Sequence, residues 1–269
     1  RFSIQQIGNR ADNPSVCLWT RGYSRKKAFI YYNRMKKTGT KTKWGILLFT
    51  VVASGFIAAC ALCIGALSVP VFAMPASLCV VLDAGHGGVD GGVTGRDTGV
   101  KESEINLAVT MEIKSAFERA GFEVVLTRKT SAGLYGAATK GYKKRDMLRR
   151  KEIIEEAKPA AVISVHQNFY PTRVTRGGQV FYRRESETGQ KLAESIQERL
   201  NALYRGEGAS PRKAASGNYY MLTCTDYPSV IVECGFLSNG ADEALLVTEA
   251  FHKSLAQAVL EGFAGYLSA

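Results

Sequence analysis

The sequence predicts an α/β fold: a single domain with a central mixed, roughly six-stranded sheet flanked by helices, preceded by an N-terminal hydrophobic segment. Three observations carry this. From Leu78 onward, short β-branched runs alternate with longer stretches of helical spacing. Two of the apolar runs, "VVLDAGH" and "AAVISVH", end in a histidine. Ahead of them, residues 45–69 carry no charged side chain.

In order along the chain, residues 78–84 make the first strand. Ile105, Ala108, Val109, Ile113, Ala116, Phe117 and Ala120 then recur at helical spacing, with Gly121 placed to end the helix. "FEVVLT" (122–127) is the second strand, followed by a Gly/Ala/Thr-rich loop over 131–141 and a charged helix over 143–157 that Pro159 ends. "AAVISVHQN" (160–168) reads as a third, buried strand and "GGQVFYRR" (177–184) as a fourth. Leu192, Ile196, Leu200 and Leu203 mark an amphipathic helix, "YYMLT" (219–223) a fifth strand and "SVIVECGF" (229–236) a sixth. Residues 242–247 and 251–267 are helical by pattern. A domain over 78–269, about 190 residues, buries enough apolar surface to fold without disulfides or a metal.

The net charge of +11 would point to nucleic acid or an anionic surface if it were spread over a folded face. Instead, 11 of the 35 Lys and Arg fall in residues 1–44 against one acid, Asp12, which leaves the remainder nearly neutral. The folded part is therefore read as having no nucleic-acid partner. The uncharged run over 45–69 is long enough to cross a bilayer as a helix. Its basic flank predicts a cytoplasmic N-terminus and an exported, extracytoplasmic domain, secreted or held at the outer face of the membrane. Val71 and Ala73 suit a signal-peptidase site, whereas the run exceeds the usual apolar core of about 7–15 residues. Residues 35–77 thus read as either a signal peptide or a membrane anchor. "MKKTGTKTKW", from Met35, has the form of a complete signal n-region, and residues 1–34 read as a leader upstream of the initiator.

The six cysteines form no metal-binding CxxC…CxxC set, since the one CxxC, Cys60 and Cys63, sits inside the hydrophobic run. Cys79, Cys224 and Cys234 read as small buried hydrophobes, with a Cys79–Cys234 disulfide as the alternative in an exported domain.

His86 sits among Gly85, Gly87 and Gly88 at the C-terminal end of a strand, where open α/β sheets place their chemistry, although a histidine there also serves simply to satisfy a turn. His166 ends a second strand, whereas His252 falls in the last helix and reads as a packing or surface residue. Two strand-end histidines and one carboxylate match the ligand set of a catalytic zinc that keeps a fourth position for water. Glu102, Glu104, Asp90 and Asp97 all lie near enough in sequence to be the third ligand, and spacing does not rank them. Glu102 and Glu104 equally suit a helix N-terminus. Glu233 ends an apolar run, where a carboxylate needs a partner: an arginine in a structural ion pair, or a general-base role beside the metal. Arg128, after the second strand, suits a substrate carboxylate or a buried acid.

"LDAGHGGVDGG", "KESEINLAV", "LTR", "SVHQN" and "VIVECGFLSN", in that order, resemble the zinc-dependent N-acetylmuramoyl-L-alanine amidases of the Amidase_3 family over residues 78–267. The resemblance implies hydrolysis of the amide between N-acetylmuramic acid and the L-alanine of the peptidoglycan stem, with one Zn²⁺ on His86, Glu102 and His166 and with Glu233 catalytic. Glu104 is then not a ligand. Asn168 and Asp83 are implied partners that orient the histidines. Ala84 and Gln167 depart from the family pattern, and Gln167 is expected at the floor of the substrate groove. "KGYKKRDMLRRKEI" and "GGQVFYRRESETGQKLAESIQERL" are similar to the sporulation-associated branch, which implies spore-cortex peptidoglycan as substrate and leaves room for an accessory activator protein. A wall-turnover amidase, another zinc peptidase or deacetylase, and an inactive wall-binding module are the rival readings. The chain has no HExxH motif, and all four site residues are present.

Overall fold

The computed structural model describes residues 78–269; the leader and the hydrophobic segment expected over 1–77 lie outside the described residues. Six strands form one mixed sheet in the order β2-β1-β3-β6-β4-β5. They are β1 (Cys79–Ala84), β2 (Glu123–Leu126), β3 (Ala161–Asn168), β4 (Gln179–Tyr182), β5 (Ala215–Ser216) and β6 (Ser229–Phe236). All neighbours run parallel except β4 and β6, which are antiparallel.

Strand alternation divides the core in two. Val80, Leu82, Ile163, Val165, Val230 and Val232 face the helices α1 (Glu102–Arg119), α3 (Glu187–Gly206) and α6 (Glu249–Leu267). Val81, Val162 and Ile231 point the other way, against Ile154 of α2 (Tyr142–Ala157) and Met221 and Leu222 of α4 (Tyr220–Thr223). A short α5 (Gly240–Leu246) completes the fold. The period-2 pattern thus puts Asp83, His166 and Glu233 on the α2–α4 face, at or near the C-terminal ends of three adjacent parallel strands.

The fifth strand differs from the expectation. "YYMLT" is not extended: Met221 and Leu222, consecutive in sequence, are both buried in the same cluster, which a strand with side chains alternating between faces cannot achieve. Leu222 N–H donates to Tyr219 O at 3.0 Å and Cys224 N–H to Tyr220 O at 2.9 Å, closing a helical turn. The real β5 is the two-residue Ala215–Ser216, paired in parallel with Phe181 and Tyr182 of β4.

Cys79 and Cys234 hold free thiols. They lie at opposite ends of strands separated by β3, about 10 Å apart across the sheet before the offset along it is counted, whereas a disulfide needs Cα atoms within about 7 Å. His252 is buried in α6, with Nε2 at 2.6 Å from Leu246 O, and serves packing.

Among the described residues the largest fully buried side chain is a charged one, Arg150 of α2, at 0% exposure. Its guanidinium meets Asp83 Oδ1, Asp146 Oδ2 at 2.6 Å, and the carbonyls of Ala84 at 2.9 Å and His86 at 2.6 Å. Asp83 also accepts from Thr127 Oγ1 at 2.6 Å and Ser164 Oγ at 2.5 Å. Burial would raise its pKa, but the Arg150 charge and these two hydroxyls hold it below the ordinary range. Removing one partner leaves the other charge buried and alone. Arg150→Ala is therefore expected to cost about 3–5 kcal/mol in denaturant unfolding. A loss below about 1 kcal/mol, the median for surface pairs, would contradict this role.

Candidate metal centre

The glycines around His86 now have a reason. A Cβ on Gly85 would lie 2.3 Å from the His166 ring, and one on Gly92 would lie 2.4 Å from Glu102 Oε2. Only glycine lets the two β-strand ends and the start of α1 approach this closely. His86 itself adopts φ +60°, a left-handed conformation that costs a non-glycine residue energy and persists only where its surroundings impose it. Here they do. Arg150 holds the His86 carbonyl, and Gly87 and Asp90 exchange backbone hydrogen bonds of 2.8 and 3.2 Å across the turn.

Glu102 opens α1. The backbone N–H groups of Glu102 and Ser103 have no partner within the helix, and they donate to Val93 O at 2.8 Å and Gly91 O at 3.0 Å. The glycine loop is thereby fastened to the helix start. Glu102 Oε2 accepts from Val93 N–H at 3.0 Å, while Oε1 lies 3.2 Å from His86 Nε2 and 3.0 Å from His166 Nδ1. Asn106 Nδ2 and Gln167 N–H reach the same oxygen at 3.3 and 3.2 Å. Burial would raise the Glu102 pKa, but hydrogen bonds and charge from His166 and His86 hold it far below the usual carboxylate range.

The donor atoms of His86, Glu102 and His166 lie within 4.8 Å of one another. Donors at about 2.0–2.1 Å from a tetrahedral ion stand roughly 3.3 Å apart, close to the separations of Glu102 Oε1 from the two ring nitrogens. The set fits a divalent cation, and the rings meet edge to face at 5.1 Å, so neither blocks the other's nitrogen.

Glu233 stands beside this cluster without joining it. It is the register partner of His166 on β6, its side chain points to the same face, and Oε2 is buried with no hydrogen-bond partner. Burial, with a smaller push from Glu102 and an opposing pull from the two histidines, raises its pKa to about 7. The ion-pair reading is excluded, because no Arg or Lys among the described residues bridges to it.

Of the other acids considered as ligands, Glu104 is exposed, and Asp97 is exposed and pairs with Arg173. Asp90 has a different role: Oδ1 lies 3.1 Å from His86 Nδ1 and Oδ2 lies 3.4 Å from Lys143 Nζ. A proton on Nδ1 donated to Asp90 leaves the Nε2 lone pair directed at the centre, the arrangement that fixes a ligating imidazole. Sequence alone offers Asp90 only as a candidate ligand and reads Arg150, midway along α2, as one residue of a charged helix.

Four expectations change here. Asp83 touches no histidine ring and acts through Arg150. Asn168 Oδ1 accepts from Phe169 N–H at 2.8 Å and orients neither histidine. Gln167 faces away from the groove, where its Nε2 donates to Asn106 Oδ1 at 3.1 Å and thus steadies the amide that holds Glu102. Arg128 pairs with no acid: its buried guanidinium donates to the carbonyls of Ala84, Gly85, Ser103 and Thr130 at 2.8–2.9 Å. Burial and the nearby Arg150 charge lower its pKa to about 10. In isothermal titration with Zn²⁺, Asp90→Ala should weaken binding about 10- to 100-fold. Glu104→Ala should leave binding unchanged, and the reverse pattern would reassign the ligand.

The N-acetylmuramoyl-L-alanine amidase model of the Amidase_3 family matches residues 80–264. A germination-specific N-acetylmuramoyl-L-alanine amidase of Bacillus subtilis is 31% identical over 194 residues, covering 70% of this chain and 79% of that protein. The CwlD amidase of Clostridioides difficile, solved in complex with the GerS lipoprotein, matches at 32% identity and a TM-score of 0.68, over 71% of this chain and 99% of that one. The catalytic domain of CwlV from Bacillus (Paenibacillus) polymyxa var. colistinus matches at 28% identity and a TM-score of 0.61, over 71% and 98% respectively. With the family matched over residues 80–264 of the described 78–269, the chain belongs to the N-acetylmuramoyl-L-alanine amidases and is an enzyme that cleaves peptidoglycan.

Proposed function

We propose that this amidase is zinc-dependent, with one Zn²⁺ on His86, Glu102 and His166 and with Glu233 as the general acid–base group. The observation that carries the reading is the placement of Glu102 Oε1 between two imidazole nitrogens, with the unpartnered Oε2 of Glu233 one strand away. A zinc ion held there supplies Lewis acidity toward the scissile carbonyl and lowers the pKa of a water to about 7.

The protein groups do the rest. Asp90 holds the His86 tautomer, and Asn106 and Gln167 hold the Glu102 carboxylate. Glu233 accepts the proton of the attacking water at its carboxylate and returns it to the nitrogen of the departing L-alanine. Its Oε2, unpartnered and one strand from His166, is free to make both transfers.

Spore-cortex peptidoglycan is the proposed substrate, supported by likeness to the germination-specific enzyme and to CwlD. The same reading puts the domain outside the cytoplasmic membrane; the basic and apolar pattern over 35–77, read as a signal peptide or an anchor, supports it. An accessory partner protein is part of the same reading, supported by the likeness to CwlD, which was solved in complex with the GerS lipoprotein.

Glu233→Gln separates binding from chemistry, since the amide keeps the shape but accepts no proton at neutral pH. Zinc content and folding should stay near wild type, while release of L-alanyl stem peptides from peptidoglycan, followed by mass spectrometry, should fall by about 10² or more. Loss of zinc would move Glu233 into the ligand set, and retained turnover would remove it from the reaction.

A further inference from the structure

We infer that Arg145, exposed on the first turn of α2, is a positioning residue for the metal centre: it shapes the 131–141 loop into a strut that ends on the turn carrying His86 and Asp90. Its effect on the metal rests on the zinc reading above, whereas the strut can be tested without metal.

The loop reads "SAGLYGAATKG", with three glycines and few side chains able to bury apolar surface. Such a segment loses much backbone freedom on adopting one shape, and polar contacts have to offset that loss. Arg145 supplies them. Nε donates to Tyr135 O at 3.1 Å, Nη1 to Lys140 O at 3.0 Å, and Nη2 to Ala137 O at 2.7 Å and Thr139 Oγ1 at 3.0 Å. A guanidinium presents its five N–H donors in a rigid fork, so one side chain joins both ends of the segment 135–140. A lysine ammonium cannot span the same carbonyls. From the next position, Asp146 Oδ1 accepts from Leu134 N–H at 2.6 Å.

The far side of the loop meets the His86–Asp90 turn. The backbone N–H groups of Gly87 and Asp90 pair across that turn, and the two between them go to the loop: Gly88 N–H to Ser131 O at 2.7 Å and Val89 N–H to the Tyr135 hydroxyl at 2.7 Å. The fit is close, since a Cβ on Gly88 would lie 2.0 Å from that hydroxyl. Tyr135 is buried and meets Tyr142 of α2 edge to face at 5.2 Å, which fixes where the hydroxyl sits. Val89 immediately precedes Asp90, whose Oδ1 lies 3.1 Å from His86 Nδ1. A shift of the loop therefore moves the acceptor that sets the His86 tautomer, and groups of that kind govern metal affinity.

The test measures amide hydrogen exchange on the metal-free full chain, by mass spectrometry of peptides covering 85–91, and Zn²⁺ binding by isothermal titration. Arg145→Ala and Tyr135→Phe should each speed exchange over 85–91 and weaken Zn²⁺ binding about fivefold, the effect of one hydrogen bond, and the double variant should be little weaker than either. Arg145→Lys should not restore binding, and Arg149→Ala, exposed on the same helix, should match wild type in both measurements. Surface substitutions ordinarily change global stability little, so denaturant unfolding of Arg145→Ala should stay near wild type, which separates positioning from a general loss of fold. Tyr135→Phe, lacking only the hydroxyl, carries the test alone if Arg145→Ala does not fold. The inference is overturned if either folded variant keeps wild-type exchange over 85–91 and wild-type Zn²⁺ affinity, or if the double variant shows the product of the two single effects. Faster exchange in the variants of a wild type that binds no Zn²⁺ would uphold the strut and strike the zinc reading instead.

Discussion

One buried guanidinium supports the arrangement of the site. Arg150 reaches from α2 across the end of β1, neutralises Asp83 and Asp146, and takes the carbonyls of Ala84 and His86. Charges taken out of water are costly unless fully paired, and here the contacts to the Ala84 and His86 carbonyls that complete the pairing also constrain the turn that carries His86. The left-handed backbone of His86 is the result: a conformation unfavourable alone, sustained by a charge with nowhere else to go. Arg128 reinforces the same turn from the β2 side through the Ala84 and Gly85 carbonyls.

From that fixed turn the centre assembles by close approach. Gly85 admits the His166 ring and Gly92 admits the Glu102 carboxylate, so residues from β1, β3 and α1 converge on one point. Glu102 is shared among His86, His166, Asn106 and Gln167 at a single oxygen, a concentration of donors around negative charge that the α1 N-terminus also favours. Glu233 reaches the centre by a different rule. Parallel pairing of β3 and β6 in this register sets it beside His166 on the same face, buried, unpartnered and outside the three-donor cluster.

Much of this was legible in the chain, because strands that are apolar on both faces and helices with 3.6-residue spacing announce themselves locally. The sheet, most of its flanking helices, the strand-end histidines and the isolated carboxylate of Glu233 were of that kind. What stayed hidden depended on contacts distant in sequence. "YYMLT" carries strand-like residues, yet two adjacent side chains are needed in one pocket, and tertiary packing overrides propensity there. Arg150 resembles its neighbours in "KKRDMLRRKE", and only the fold buries it and leaves Arg149 exposed. Asp90 as the partner of His86 Nδ1, and Gln167 turned away from the groove, follow from a turn geometry and a strand parity that spacing alone did not settle.

The central claim is that the fold prearranges three donors for one metal ion and keeps a fourth carboxylate free. Anomalous diffraction at the zinc edge, on crystals of the protein grown with Zn²⁺, tests it most directly. The account predicts a single strong peak bonded to His86 Nε2, Glu102 Oε1 and His166 Nδ1, with the Glu233 carboxylate outside bonding distance. A peak bonded to Glu233 in place of Glu102, or no peak among these residues, would contradict it.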